Sequence, residues 1–206
     1  IKVEDMLGRG VEGVDVIVYD KYNVSDILNR SSTSPSGDVT LSFYRSKPLT
    51  VEIRVNYTTE DGMPVENITS VDLDIDDIRK TVSREIELDL ADLRVIIVDV
   101  NNVSIPNATV LLYSGGELTR SNESDELGTV VFTRMKFNTS WEIHVVFWPF
   151  EGKLEPIYEI RQVLLDSALK NETIKLPVTD MYIHVLSMDQ YNMKDYWKRG
   201  LPGSVI

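Results

Sequence analysis

The chain has 206 residues, with 21 Lys and Arg against 33 Asp and Glu, giving a formal net charge of −12. That balance argues against a nucleic-acid partner and against an anionic membrane surface, because both need clustered Lys and Arg. The sequence contains no cysteine, which excludes thiol nucleophiles, disulfides and cysteine-held metals. No apolar run approaches the roughly 20 residues of a membrane span, so direct insertion of this segment into a bilayer is not expected.

Taken in order, Ile1-Lys2-Val3-Glu4-Asp5 reads as a strand, followed by a turn through Gly8 and Gly10. Val14, Val16 and Val18 then alternate with Asp15, Ile17 and Tyr19, as in a strand with one face on a core. Residues 20–38 concentrate Asp, Asn, Ser, Pro and Gly and are expected to form a long polar loop. Strands are expected over Val39–Phe43 and Val51–Asn56, separated by a corner at Lys47-Pro48. A second loop through Gly62 and Pro64 leads to Val71–Ile75, and Ile86–Leu90 closes the set. The order then starts again with Leu93–Val100 and Thr109–Tyr113, joined by connections at Val103–Asn107, Ser114–Gly128 and Lys136–Thr139. In Glu159–Leu169, Ile160, Val163, Leu164 and Ala168 would also fit a helical stripe. Alignment with Val71-Asp72-Leu73-Asp74-Ile75 favours a strand.

That alignment belongs to an internal repeat. Val11-Glu12-Gly13-Val14-Asp15-Val16 matches Ile105-Pro106-Asn107-Ala108-Thr109-Val110, and Gly37-Asp38-Val39 matches Gly128-Thr129-Val130. Thr50–Tyr57 matches Ser140–Phe147, and Glu85–Leu90 matches Thr173–Val178. A fixed self-similarity of about 90 residues marks tandem modules. The expected organisation is one β-sandwich module over residues 1–91, a second over 92–179 and the start of a third over 180–206. Ile1 aligns with Val95, and Ile206 falls inside the second strand of the third copy. The parent protein is therefore expected to be longer at both ends. Leu90-Ala91-Asp92 and Val178-Thr179-Asp180 leave little slack, so neighbouring modules are expected to sit at a restricted angle.

Six to seven short strands per 90 or so residues indicate an all-β fold of tandem immunoglobulin-like antiparallel β-sandwiches. The run Ile105-Pro106-Asn107-Ala108-Thr109-Val110, then Asp125-Glu126-Leu127-Gly128-Thr129-Val130-Val131-Phe132, then Trp141-Glu142-Ile143-His144-Val145 resembles a known module type. It is similar to the carboxypeptidase-regulatory-like, or transthyretin-like, immunoglobulin-like sandwiches. The resemblance implies tandem arrays in prokaryotic surface proteins. The first copy departs from the pattern at Glu12-Gly13.

Asparagine placement is the sharpest chemical signal. Asn-x-Ser/Thr occurs at Asn23, Asn29, Asn56, Asn67, Asn102, Asn107, Asn122, Asn138 and Asn171, leaving only Asn101 and Asn192 outside a sequon. Chance would place roughly one or two of these asparagines in sequons. Nearly all nine are expected in connections or at strand ends, where a glycan stays clear of the core. The alternative is plain turn chemistry, which also favours Asn, Ser and Thr. Dense N-linked glycans on a cysteine-free chain resemble an archaeal surface-layer or other cell-surface glycoprotein.

Asp72, Asp74 and Asp76 alternate onto one strand face, where hard oxygen ligands could hold Ca²⁺ or simply be solvated. Asp77 stands where a calcium-binding helix–loop–helix would need glycine. His144 and His184 lie in different modules, and no second histidine or carboxylate is expected near either at zinc-ligand spacing. Trp148-Pro149-Phe150 is an apolar cluster that either caps its own sandwich or packs on a neighbour, and Tyr191, Tyr196 and Trp197 raise the same choice. No nucleophile elbow, phosphate loop or zinc-helix motif occurs, so an enzyme is not expected.

The sequence supports a structural, N-glycosylated, surface-layer-like segment that spaces and laterally contacts other copies in an extracellular coat or appendage. The partners expected are copies of itself, as a homo-oligomer or as lattice or filament neighbours. Two alternatives stay open. One is a non-catalytic accessory pair in a secreted hydrolase; the other is a filament subunit or adhesin assembling by strand complementation.

Overall fold

The computed structural model describes residues 1–44, 48–74, 81–149 and 155–178, apart from the Val24 side chain. Its first half contains β1 (Lys2–Asp5), β2 (Asp15–Asp20), β3 (Asn23–Ser32), β4 (Leu49–Thr58), β5 (Pro64–Leu73) and β6 (Glu85–Leu88). The second half contains β7 (Leu90–Val98), β8 (Thr109–Ser114), β9 (Glu117–Glu123), β10 (Thr129–Lys136), β11 (Ser140–Phe147), β12 (Ile157–Leu164) and β13 (Leu169–Lys175). The sheet β3-β2-β4-β5 packs on the pair β1-β6, and β9-β8-β11-β12 packs on β10-β7-β13. The chain is all-β and built as sandwiches.

Period-two alternation sets the two faces of the strands. In β4, Val51, Ile53 and Val55 are buried while Glu52, Arg54 and Asn56 turn outward. In β11, Trp141, Ile143 and Val145 do the same against Glu142 and His144. Two separate apolar cores result. One runs from Val3 to Leu90 and is dominated by valine; the other runs from Ala91 to Leu176 and includes Trp141, Phe132 and Met135.

Four details differ from the sequence expectation. First, the opening and closing strands of each half pair in parallel, β1 with β6 as a two-stranded sheet and β7 with β13 beside the antiparallel β10. The chain reaches each closing strand by crossing from the opposite sheet, so no hairpin constrains its direction. Second, residues 20–38 are not one loop. A tight turn at Lys21-Tyr22 leads into β3, and Gly115-Gly116 leads into β9 in the same way. Both are edge strands, whose outer side faces water and tolerates Asn, Ser and Asp in the ladder.

Third, β5 starts at Pro64, earlier than the expected Val71, and an edge position accommodates that proline. Fourth, Val39–Phe43 is not a strand. Only a Lys2–Asp38 bridge and paired Ile1–Val39 backbone bonds form where β10 runs along β7 in the second half. Glu159–Leu169 forms no helix: β12 occupies its first part in register with β11.

The halves share hydrogen bonds as well as strand order. Thr33 Oγ1 accepts from Val14 N at 2.9 Å and donates to Val11 O at 2.6 Å; Ser124 Oγ accepts from Ala108 N at 2.9 Å and donates to Ile105 O at 2.8 Å. These buried hydroxyls tie matching loops to matching strands. Asp5 Oδ1 accepts Leu7 N and Arg9 N, and Asp99 Oδ1 accepts Asn101 N and Val103 N. Gly37 and Gly128, with φ of 83° and 69°, bring a backbone against the opening strand. A Cβ on Gly37 would lie 2.3 Å from Val3 O, and one on Gly128 would lie 2.5 Å from Ile97 O.

Both the clash and the left-handed backbone penalise any side chain at Gly128. Gly128→Ala is expected to cost about 2 kcal/mol or more. A denaturant titration showing an unchanged midpoint would contradict this account of the turn.

Candidate functional site: the joint between the two halves

One residue, Asp89, separates β6 from β7, so the two sandwiches meet with almost no linker. Two arginine–carboxylate pairs then fix how they meet. Arg9, in the loop after β1, donates to both carboxylate oxygens of Asp92 on β7, Nη1 to Oδ2 at 2.8 Å and Nη2 to Oδ1 at 2.7 Å. Its Nε donates to Asp5 Oδ2 at 2.8 Å. The Asp5 and Asp92 side chains are 0% and 5% exposed, whereas that of Arg9 keeps 42% of its surface in water. The carboxylates raise the Arg9 pKa well above its ordinary value, Asp92 contributing most and Asp5 next. A planar guanidinium bonded through all three of its nitrogens fixes orientation as well as distance.

The second clamp lies across the joint. Arg120 on β9 pairs with both oxygens of Asp61, in the β4–β5 turn, and its Nη1 contacts Glu60 at 3.1 Å and donates to Thr133 O at 3.0 Å. The Arg120 and Asp61 side chains are 10% and 0% exposed. A bulge in β10 puts Arg134 at φ 53° and turns it into the joint. There its N–H donates to Asp92 Oδ1 at 3.0 Å and its Nη2 to Gly10 O at 2.7 Å. Lys136 Nζ donates to Pro64 O at 2.9 Å. Met6 and Met63 of the first half pack onto the second core. A shallow polar cleft of about 300 Å³ remains at the joint, with Glu60, Arg120, Asn122 and Thr133 in its wall.

None of these joint residues stood out in the sequence. Asp5 recurs as Asp99 and Asp92 as Asp180, which was the available signal for the carboxylates. Arg9 and Arg120 have no counterpart in the other copy, so the repeat does not mark them.

Against the expectation of connections or strand ends, Asn102, Asn107 and Asn138 lie in connections, Asn23 opens β3 and Asn122 is next to the end of β9, while Asn29, Asn56, Asn67 and Asn171 lie further inside strands. Asn23 and Asn29 are on β3, Asn67 on β5, Asn122 on β9 and Asn171 on β13, all edge strands, while Asn56 is on the inner strand β4. Asn102, Asn107 and Asn138 occupy turns at φ of 65°, 58° and 56°. Asn23, Asn102, Asn107, Asn122, Asn138 and Asn171 are exposed; Asn29, Asn56 and Asn67 are half-buried. The side-chain nitrogens of Asn29 and Asn67 also donate to Ser42 O at 2.6 Å and Glu87 O at 2.8 Å.

Asp72 and Asp74 are exposed, beside the buried Val71 and Leu73, and Asp72 Oδ1 accepts from Thr50 Oγ1 at 2.6 Å. Asp76 lies outside the described residues, as do Phe150, His184, Tyr191, Tyr196 and Trp197. Among the described residues no three His, Asp or Glu side chains gather as a metal site. His144 is less isolated than the sequence suggests. On the outer sheet face its Nε2 meets Glu142 Oε1, its Nδ1 meets Tyr158 OH, and Tyr113 stacks on it at 4.3 Å. The bond to His144 lowers the Glu142 pKa.

No protein-family model matches the chain, and no curated protein matches it in sequence. Its shape has similar solved structures. The Bacillus anthracis TIE protein is 13% identical at a TM-score of 0.36, over 85% of this chain and 33% of that one. The shaft pilin SpaA from Lactobacillus rhamnosus GG is 9% identical at 0.43, over 87% and 97%. A C-terminal fragment of the pilus adhesin SpaC from the same organism is 11% identical at 0.30, over 88% and 97%. This chain spans about a third of the first of them. At such identities the likeness is confined to their all-β build.

Removing either arginine strands buried carboxylates. Arg120→Ala is expected to cost about 3 kcal/mol, because Asp61 loses a bidentate partner inside the joint. Arg9→Ala is expected to cost less, about 1–2 kcal/mol, because backbone N–H groups still serve Asp5 and Asp92. Chemical unfolding of the two variants should rank them in that order.

Proposed function

We propose that the chain is a non-catalytic spacer: two tandem sandwich modules, over residues 1–91 and 92–179, held as one stiff body in an N-glycosylated cell-surface protein. The doubly clamped joint carries this reading. A flexible tether would need neither a bidentate Arg9–Asp92 pair nor a second clamp at Arg120–Asp61. Clamps on two separated loops resist bending in more than one direction, as a component of a coat or appendage requires. Lateral contacts with neighbouring copies would then fall to the sheet faces and ends.

The asparagines support the location. The exposed sequons Asn23, Asn122 and Asn171 on edge strands would put glycans where unpaired ladders meet water, and sugars there oppose edge-to-edge association. Ca²⁺ at Asp72, Asp74 and Asp76 stays a proposal without an observed cluster. A surface-layer lattice is one such coat, and a filament is another.

Backbone ¹⁵N relaxation tests the stiffness. The two halves are expected to share one rotational correlation time, and a variant carrying both Arg9→Ala and Arg120→Ala should show two. Independent tumbling of the unaltered halves would remove the spacer reading. Glycopeptide mass spectrometry on the protein from its native source tests the location separately. Glycan is expected at the six exposed sequons and absent from Asn29, Asn56 and Asn67; bare asparagine throughout would withdraw the cell-surface assignment.

A further inference from the structure

A sequon needs two groups, the asparagine amide that takes the sugar and a hydroxyl two residues on. In eight of the nine sequons the hydroxyl residue is exposed or half-buried. Ser124, which completes the sequon of Asn122, is the exception at 3% exposed. Its hydroxyl accepts from Ala108 N at 2.9 Å and donates to Ile105 O at 2.8 Å. Its main chain is held as well: Ser124 N donates to Ala108 O at 2.9 Å, and Ser124 O accepts from Asn107 N at 2.9 Å. Asn122 itself is exposed on the edge strand β9, with Oδ1 accepting from Glu123 N at 2.9 Å. One half of this acceptor faces water and the other half is locked inside.

The first half of the chain gives the reason for the buried hydroxyl. Thr33 holds the same place there with the same two bonds, and Ser31, not asparagine, stands two residues before it. The hydroxyl at this position therefore serves the fold. A serine hydroxyl has one proton to donate, and Ser124 gives it to Ile105 O. An enzyme that must read that hydroxyl meets it only when the end of β9 has opened.

We propose that Asn122 is a folding-gated glycan acceptor: it takes a sugar while Ser124 is free, and the second sandwich closes the acceptor once β9 pairs with β8. The inference rests on the glycosylation reading above. Transfer joins Asn122 Nδ2 to C1 of a sugar and breaks the bond from that carbon to the phosphate of a lipid-linked donor. The phosphate leaves with the bonding electrons, and Nδ2 gives up one proton to a base of the transferase. A glycan found on Asn122 would thus have been attached before the second sandwich formed.

The test compares the folded, unglycosylated 206-residue chain with three short peptides, one around each of Asn122, Asn138 and Asn171. Each is treated with an oligosaccharyltransferase and its lipid-linked oligosaccharide donor, and glycopeptide mass spectrometry reads occupancy. Asn138 lies in a turn and Asn171 on the edge strand β13, and their hydroxyl partners Ser140 and Thr173 are exposed. All three peptides are expected to accept the glycan. In the folded chain Asn138 and Asn171 should still accept it, and Asn122 should be modified about tenfold less than Asn171, because two hydroxyl hydrogen bonds must open first. Equal modification of Asn122 and Asn171 in the folded chain would overturn the proposal. So would a block at Asn171, which would assign the effect to strand pairing or to folding at large, and so would a bare Asn122 peptide. If all three peptides stay bare, the glycosylation reading falls with it; if only Asn122 departs from expectation, that reading stands.

Discussion

The relation between the two sandwiches depends on buried carboxylates that the opposite half pairs, Asp92 with Arg9 and Asp61 with Arg120. Asp92 sits near the start of β7, the central strand of its sheet, and its carboxylate is buried. A buried carboxylate without partners is costly, and here it takes two bonds from Arg9 and one from the Arg134 backbone. The first sandwich thus completes a polar group that belongs to the second. Asp61 and Arg120 do the reverse across the joint, with the first half supplying the buried acid. Neither half satisfies its own charges alone, so separation exposes polar groups on both sides at once.

The apolar packing points the same way. The first core is built largely from valine, whereas the second contains Trp141, Phe132 and Met135. Larger side chains bury more surface, so the second half has the greater share of hydrophobic stabilisation. Met6 and Met63 extend the first half onto that larger core. Methionine suits such a seam because its flexible thioether fills irregular space between two rigid sheets.

How far the sequence revealed this varied with the physics of each part. Buried strands were legible because a face packed on a core enforces alternation, as at Val51, Ile53 and Val55. Edge strands were not, because β3 and β9 meet water on one side and carry no such pattern. Asn23–Ser32 is therefore indistinguishable by composition from a loop. The joint was least legible of all. A clamp made of one arginine and one carboxylate far apart in sequence leaves no local signal, and Arg9 looks like any surface cation until Asp92 is placed beside it.

The turn asparagines have two explanations, and the two halves of the chain differ in a way that bears on both. Asn102 and Asn107 stand where the first copy has Gly8 and Gly13, and all four have positive φ. Backbone geometry alone accounts for Asn there, since Asn is the side chain that best tolerates that region after glycine. It does not account for the hydroxyl two residues later. Ser104 and Thr109 complete the sequons, while the matching positions in the first copy are Gly10 and Asp15. Gly10 is held in tight contact with Ser36 O, and Asp15 pairs with Arg30, so each first-copy residue has its own structural reason. The second copy keeps the turn and, at both positions, carries Ser or Thr as well. A requirement for turn residues supplies the asparagines; the added hydroxyls fit the glycan acceptors proposed above.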